Sequence, residues 1–294
     1  MKEIICYGEV LWDMLPTGKK LGGAPLNVAL RLQTLGYSTK VISSIGKDAA
    51  GDGIVEQMEI HNATLNHLQV SHNYATSEVL VSLNDTGSAT YEIKMPCAWD
   101  DIQLLEKDLT AVKAADAFIY GSLVARQHTS RDTLFALLKV SQFNVFDVNL
   151  RPPHYKLETL STLMKQADFI KFNDDELFEI AAAMGGKKLS LNESIHFIAQ
   201  ETQTARICVT LGANGAVLFQ DDNILYNKGY KIEVADTVGA GDSFLAALIS
   251  QLLAGANADV ALDYACAIGA IVASKEGANP IISEKEIQEI MQIS

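Results

Sequence analysis

The sequence predicts an α/β fold: a mainly parallel sheet with helices on both faces, plus a small β-sheet set against it. Three observations carry that prediction. Short apolar runs of strand length alternate with stretches of helical periodicity along the chain. One segment breaks the rhythm with a hairpin-like pattern. Nearly half of the 294 residues are apolar, enough to build a large core.

The elements follow in order. Residues 4–7 are apolar and read as the first strand. Residues 25–35 read as a helix, with Pro25 in its first turn and Gly36 as its stop. A strand at 40–45 and a helix at 54–60 come next. Ser77–Leu83 alternates polar and apolar residues, Asn84-Asp85-Thr86-Gly87 reads as a turn, and Ala89–Ile93 as the returning strand. Such a hairpin is an edge ornament or a lid. A two-stranded ribbon is marginal alone, so residues 12–20 are expected to join it. Val79, Val81 and Leu83 give it one apolar face. Strand runs recur at 117–120, 144–148, 168–172 and 207–210, separated by the helical patterns Leu134/Leu137/Leu138, Leu160/Leu163/Met164 and Leu177/Phe178/Ile180. There is no internal repeat and no low-complexity linker.

Composition excludes several classes. A net charge of −13 argues against nucleic acid as a partner, since that needs a basic footprint. No apolar run approaches the ~20 residues that span a bilayer, so no membrane partner is expected. No signal-peptide pattern is evident at the start. Cys6, Cys97, Cys208 and Cys266 form no C-x-x-C pair, and the six His show no metal-cage spacing. The expectation is a reduced, cytoplasmic protein without protein-held zinc.

In open α/β sheets ligands bind at the carboxyl ends of the strands. Neither G-x-G-x-x-G nor G-x-x-x-x-G-K-[ST] occurs there. Asp13 follows the first strand and reads as a sugar ligand or a solvated turn residue. Gly22-Gly23-Ala24-Pro25-Leu26-Asn27 is a tight turn before a helix, or a hinge that sets Asn27 against a ligand. Asp147 to Pro152 follows a later strand. Asn173-Asp174-Asp175-Glu176 reads first as a capping box. Gly212 and Gly215 let backbone approach a nucleotide after residues 207–210. Most informative is Asp236-Thr237-Val238-Gly239-Ala240-Gly241-Asp242 before an apolar helix. Small residues and a helix N-terminus make an anion site. A carboxylate inside it, Asp242, would repel phosphate unless its task is to take a proton. Asp is also a good N-cap, and spacing alone leaves both readings open.

Together these motifs resemble the ribokinase family of carbohydrate kinases, and within it the fructokinases most. The resemblance runs from Tyr7 to about Pro280. It rests on the Gly22–Asn27 motif, the N-x-x-E of Asn173 and Glu176, and the family-specific DTVGAGD ending at Asp242. It implies a ribokinase-like main domain at residues 1–11, 21–71 and 99–294, and a β lid at 12–20 and 72–98. The implied activity is ATP-dependent transfer of the γ-phosphoryl group to a primary hydroxyl, with D-fructose the first acceptor. 2-Keto-3-deoxygluconate, ribose and nucleosides are alternative acceptors, and a non-catalytic sugar or nucleotide sensor is the alternative class. Asp242 would be the base, and the amides around Gly239, Ala240 and Gly241 would hold the transferring phosphoryl group. Asn173 would contact phosphates, and Glu176 would hold Mg2+ through water. Thr210, Gly212 and Gly215 would line the nucleotide site. Asp236 resembles a ligand of the K+ site that some members use. Asp13, Gly23, Asn27 and Arg151 match the sugar site. Ala24-Pro25 stands where relatives often carry Lys-Gly, which disfavours a phosphorylated sugar. Lys94 lies in the lid segment where fructokinases often place an Arg, an unequal exchange. A homodimer joined through the lids is the implied assembly.

Overall fold

The computed structural model describes residues 1–15, 18–83 and 89–292, with the backbone only at 81–83 and 89–91. The strands are β1 Glu3–Tyr7, β2 Leu11–Leu15, β3 Gly18–Gly22, β4 Ser38–Gly46, β5 Leu68–Ser71, β6 Ser77–Leu83, β7 Ala89–Ile93, β8 Ala117–Gly121, β9 Asn144–Asp147, β10 Phe169–Asn173, β11 Arg206–Thr210, β12 Ala216–Gln220 and β13 Asn223–Asn227. The helices are α1 Ala24–Thr34, α2 Ala49–Ile60, α3 Glu106–Ala114, α4 His128–Leu138, α5 Leu157–Lys165, α6 Asp174–Ala183, α7 Leu191–Thr202, α8 Ala240–Leu253, α9 Ala258–Ala273 and α10 Glu284–Gln292.

The main sheet has the order β13-β12-β11-β10-β9-β8-β1-β4-β5. From β11 to β5 neighbouring strands pair in parallel; β12 and β13 add antiparallel at one edge. The central strands carry continuous apolar runs because both their faces are covered: β1 and β8 are buried along nearly their whole length. The chain leaves β1 toward β4 on one side and returns to β8 on the other. That reversal of strand order opens a crevice at the strands' carboxyl ends, where ligands bind in such sheets.

Two apolar clusters flank the sheet. One contains Leu134, Leu160, Leu163, Leu177 and Ile195 from the helices on its face. The other contains Leu26, Leu30, Leu245, Leu248, Ile249 and Ile268 from α1, α8 and α9. Helix α8 is buried from Ser243 to Ser250 and apolar around most of its circumference, which suits a helix packed on several sides. Each fully buried Leu or Ile there contributes roughly 1.5–3 kcal/mol, so the helix is firmly anchored behind its N-terminus.

A second, four-stranded sheet has the order β3-β2-β6-β7. Of the residues 12–20 expected to join the hairpin, those described do so: β2 pairs in parallel with β6, Asp13 opposite Val79, and antiparallel with β3. Val79 and Ile93 are buried in the core cluster beneath the sheet, whereas Leu80 is exposed on the other face. The apolar face therefore turns toward the main body. The turn expected at Asn84 to Gly87 lies outside the described residues, as do the Val81 and Leu83 side chains. Arg126 fastens the sheet's return leg. Its guanidinium pairs with Asp100 at 2.8 Å, donates to the Lys94 carbonyl at 2.8 Å and lies over the Trp99 ring. Lys94 itself is exposed.

The sequence reading missed β5, β12, β13, α3, α7, α9 and α10 as separate elements. Strands β12 and β13 follow β11 through short connections that look like loop in a linear pass. Their antiparallel pairing is set by the neighbouring strand.

Candidate active site

The N-terminus of α8 is the centre of the site. Its N-cap is Gly239 at φ +76°, a left-handed conformation that favours glycine. A Cβ there would come within 2.5 Å of the Ala278 backbone, so the turn presses against the loop that follows α9. The amides of Gly241 and Asp242 head the helix, where no preceding carbonyl of the helix can pair with them. Asp242 does not cap the helix. Its Oδ2 instead accepts from Asn27 Nδ2 at 2.8 Å, and Asn279 Nδ2 donates to Asn27 Oδ1 at 3.1 Å. That disposes of the capping alternative for Asp242. The same bonds place Asn27 beside the carboxylate at the head of α8. Behind them, buried Arg31 donates to Ser243 Oγ at 3.0 Å and to the Pro280 carbonyl at 2.9 Å, locking α1, α8 and the final loop together. Burial lowers Arg31 to about 10, still well above neutral pH, so the guanidinium stays charged.

Electrostatics around Asp242 are unusual. Burial first, and then the Asp147 charge, push its carboxyl up to about 6, against the lowering pull of Asn27, Lys171 and Arg151. Asp13 is likewise pushed up to about 6 by burial, with Arg151 lowering and Asp242 raising it. A carboxylate near 6 is mostly ionised at neutral pH yet basic enough to accept a proton.

Two charged residues lie beneath the glycine turn: Lys171, which sequence reading passed over, and Asp147, which it named only within a strand-end segment. Lys171 of β10 pairs with Asp147 of β9 at 3.0 Å, both side chains at most 8% exposed. A Cβ on Gly241 would stand 3.4 Å from Lys171 Nζ, so the ammonium sits directly under the turn. Burial would lower the lysine, but Asp147, Glu176 and Asp242 outweigh it and hold it above its ordinary value. Asp147 Oδ2 is buried without a hydrogen-bond partner. The available signal was position: Asp147 ends one strand, and Lys171 stands two residues before the N-x-x-E motif on the next.

The N-x-x-E motif is a capping box in fact. Glu176 N donates to Asn173 Oδ1 at 2.8 Å, and Asn173 N donates to Glu176 Oε2 at 2.9 Å. Glu176 Oε1 also accepts from Leu150 N at 2.8 Å, which ties the loop after β9 to α6. In that loop Asn149 holds φ +39°, a strained value for a non-glycine residue, and Arg151 follows. Gly23, at φ +112°, leaves no room for a side chain, since a Cβ would lie 2.2 Å from the Glu9 carbonyl oxygen. This holds the start of α1 against the end of β1. Asp236 accepts from Val238 N at 3.0 Å and Gly277 N at 3.1 Å, bridging the loops before α8 and after α9.

A cavity of about 560 Å³ opens on the other side of the glycine turn. Thr210, Gly212 and Gly215 line it together with Ala240 and Gly241. Its remaining walls are mostly small or apolar: Ile232, Val234, Phe244, Gly269, Ala270 and Ala273. Asn173 is not among the lining residues; it caps α6 at the margin. Among the described residues no group of three or more His, Cys, Asp or Glu forms a ready metal cage. No helix among them is long and apolar enough to cross a membrane.

Comparison with known proteins fits this geometry. Residues 2–285 match the pfkB family of carbohydrate kinases. The chain is 27% identical to probable fructokinase-7 of Arabidopsis thaliana, over 98% of this chain and 92% of that one. It superposes on the fructokinase of Xylella fastidiosa with bound ATP at a TM-score of 0.86 and 20% identity, covering 99% and 98% of the two chains. A double mutant of the Vibrio cholerae O395 fructokinase, with fructose, ADP and potassium bound, superposes at 0.86 and 23% identity, again covering 99% and 98%. With a family match across nearly its whole length and a fold shared end to end, the chain belongs to the pfkB family of carbohydrate kinases.

Proposed function

We propose that the protein transfers the γ-phosphoryl group of ATP to a primary hydroxyl of a sugar, D-fructose to fructose 6-phosphate first among acceptors. One observation carries the reading. Asp242 stands at the head of α8 with the glycine turn beside it, between the Asn27 and Arg151 side and the cavity lined by Gly212 and Gly215. The names and ligands of the fructokinase relatives support the choice of ATP and fructose.

The chemistry follows from that arrangement. Asp242 takes the proton of the acceptor hydroxyl as its oxygen attacks the γ-phosphorus, and the bond from that phosphorus to the bridging oxygen breaks to release ADP. The amides at Gly239 to Asp242 meet the charge that develops on the phosphoryl oxygens. Lys171, under the turn, adds a fixed positive charge. Asp13, Gly23, Asn27 and Arg151 hold the sugar, and the small sheet of residues 12–20 and 72–98 covers it as a lid. Thr210, Gly212 and Gly215 hold the nucleotide, with Asn173 toward its phosphates.

Mg2+ would screen the nucleotide phosphates. Glu176 and Asp147 are the oxygen donors that suit a hydrated ion, and the partnerless Asp147 Oδ2 supports this. Asp236, already joining two loops, is the side chain for a monovalent cation, and the potassium bound to the Vibrio relative supports K+. Four buried free thiols suit the reducing cytoplasm. The exposed face of the small sheet, with Leu80 uncovered, supports a homodimer joined there.

The decisive test is ADP release with fructose, ribose, 2-keto-3-deoxygluconate and adenosine. Fructose should give the highest kcat/KM. A higher value for another acceptor reassigns the substrate, and release with none makes the protein a sensor on a kinase fold. Light scattering should give twice the mass of one chain; a single-chain mass at micromolar concentration excludes the dimer.

A further inference from the structure

One side chain in the chain of contacts that ends on Asp242 has no task in the mechanism above. Asn279 lies in the loop after α9, and its Nδ2 donates at 3.1 Å to Oδ1 of Asn27, 252 residues earlier in the chain. Asn27 in turn donates from Nδ2 to Asp242 Oδ2 at 2.8 Å. The order of donors and acceptors is fixed from one end. An ionised carboxylate only accepts, so the Asn27 amide turns its nitrogen toward Asp242 and its oxygen away. That oxygen needs a donor, and Asn279 supplies it. Keeping this orientation leaves Asn279 Oδ1 buried without a hydrogen-bond partner, an unfavourable state for a polar atom. The backbone on both sides of Asn279 is pinned. Gly277 N donates to Asp236 Oδ2 at 3.1 Å, the Pro280 carbonyl accepts from Arg31 at 2.9 Å, and Ala278 presses on Gly239 of the turn.

Resting on the sugar-kinase reading, we infer that Asn279 is a positioning residue for phosphoryl transfer: it locks the Asn27 amide with Nδ2 toward Asp242, which holds the base by one oxygen and leaves the other for the proton of the acceptor hydroxyl. The oxygen and nitrogen of an amide are close in size, so sterics alone do not stop the Asn27 amide from turning end for end; the donor at Asn279 does. A turned amide sets its oxygen against the carboxylate and pushes Asp242 out of line instead of holding it. The reaction rate falls steeply when a reacting group is misplaced even slightly. Asn279 touches neither acceptor nor nucleotide in this scheme. It acts through Asn27, and its own pinned backbone makes the hold rigid.

The experiment is steady-state kinetics, with the best sugar acceptor, of the wild type, Asn279→Ala, Asn279→Asp, Asn27→Ala and the two double variants. Asn279→Ala should lower kcat about tenfold and Asn279→Asp about a hundredfold, within the range that small misplacements of reacting groups cost. The KM for ATP should stay unchanged in both. Their order is the diagnostic. Asp has the shape of Asn but only accepts, so it draws the Asn27 nitrogen to itself and turns the Asn27 oxygen on Asp242. A residue that merely fills space ranks the other way, with the isosteric Asp ahead of the truncated Ala. In the Asn27→Ala background each Asn279 substitution should change kcat less than about twofold, because the coupling runs through Asn27. Asn279→Asp at least as active as Asn279→Ala overturns the proposal, and decides it even where Asn27→Ala fails to fold. An Asn279→Asp loss that persists undiminished beside Asn27→Ala is a charge acting at a distance and also overturns it. Sugar-dependent ADP release with native kcat in Asn279→Ala overturns the Asn279 assignment alone. Absence of ADP release from the wild type with every sugar overturns the sugar-kinase reading together with this one.

Discussion

The two sides of the α8 glycine turn are built from different materials. On the donor side the cavity is walled by backbone and small residues such as Gly212, Gly215, Ala240 and Gly269. On the side proposed for the acceptor, polar and charged side chains take over: Asp242 accepts from Asn27, and Arg151 and Asp242 both act electrostatically on Asp13. Backbone amides bind any phosphate alike, so in the proposed reading the donor side fixes the type of reaction. Side chains of defined length and charge discriminate among acceptors, so the same reading assigns specificity to the other side. The partition predicts that substitutions will separate cleanly into losses of turnover and losses of acceptor affinity.

The largest expected effect is at the seam. Asp242→Asn should fold and bind ATP yet lose at least about a hundredfold in kcat, within the range that base catalysis contributes. In the wild type, kcat/KM should fall as pH drops through about 6, because Asp242 must be ionised to accept the proton. The stability of the protein without ligands should run the other way. Carboxyls whose pKa is raised by folding favour the folded state below their unfolded range, and that contribution disappears as pH rises through the folded value. Asp242, Asp13 and Glu9, raised to about 6, 6 and 7, should together lower Tm between about pH 4 and 7. A pH-independent rate between 5 and 8 would remove Asp242 from the role of base.

Gly239→Ala attacks the donor side through the backbone. The added Cβ meets Ala278 at 2.5 Å and forces the turn away from the loop after α9. Loss of one aligned amide typically costs about 2.7–4 kcal/mol of transition-state stabilisation, so kcat should fall roughly a hundredfold or more. The KM for sugar should hold. A variant with native kcat would show that the amides at the turn do not hold the transferring group.

Asp13→Ala attacks the acceptor side alone. The sugar KM should rise about tenfold or more, as expected for a lost charge-assisted hydrogen bond, while the KM for ATP stays constant. Equal changes in both constants would erase the separation between the two sides.

Glu176→Gln is expected to be the mildest change and sharpens the boundary between structure and chemistry. Glu176 accepts three-residue-local and long-range amides, from Asn173 and Leu150. Weakening that capping box should lower stability by about 1 kcal/mol. If the residue also serves Mg2+, the Mg2+ concentration giving half-maximal rate should rise severalfold. A lower Tm with unchanged Mg2+ dependence makes it a cap and nothing more.

The order of elements was legible because hydrophobic period is a local property. Residues 4–7 and 117–120 are apolar runs of strand length, and the structure places β1 and β8 there. The glycine turn was legible because only small residues let backbone amides converge, and Gly239 does hold the left-handed conformation. Other features depend on partners distant in sequence. Whether Asp242 caps its own helix could not be read locally; Asn27, 215 residues earlier, takes its Oδ2 and decides the matter. Lys171 looked like an ordinary strand residue until Asp147 and Gly241 were brought around it. Glu9 carries no mark in the sequence, and only folding buries it. The sequence by itself determined the succession of strands and helices and the chemistry of the turn at α8. Tertiary structure alone decided which charges face one another, because burial and the electrostatic fields of remote groups exist only once the chain has folded.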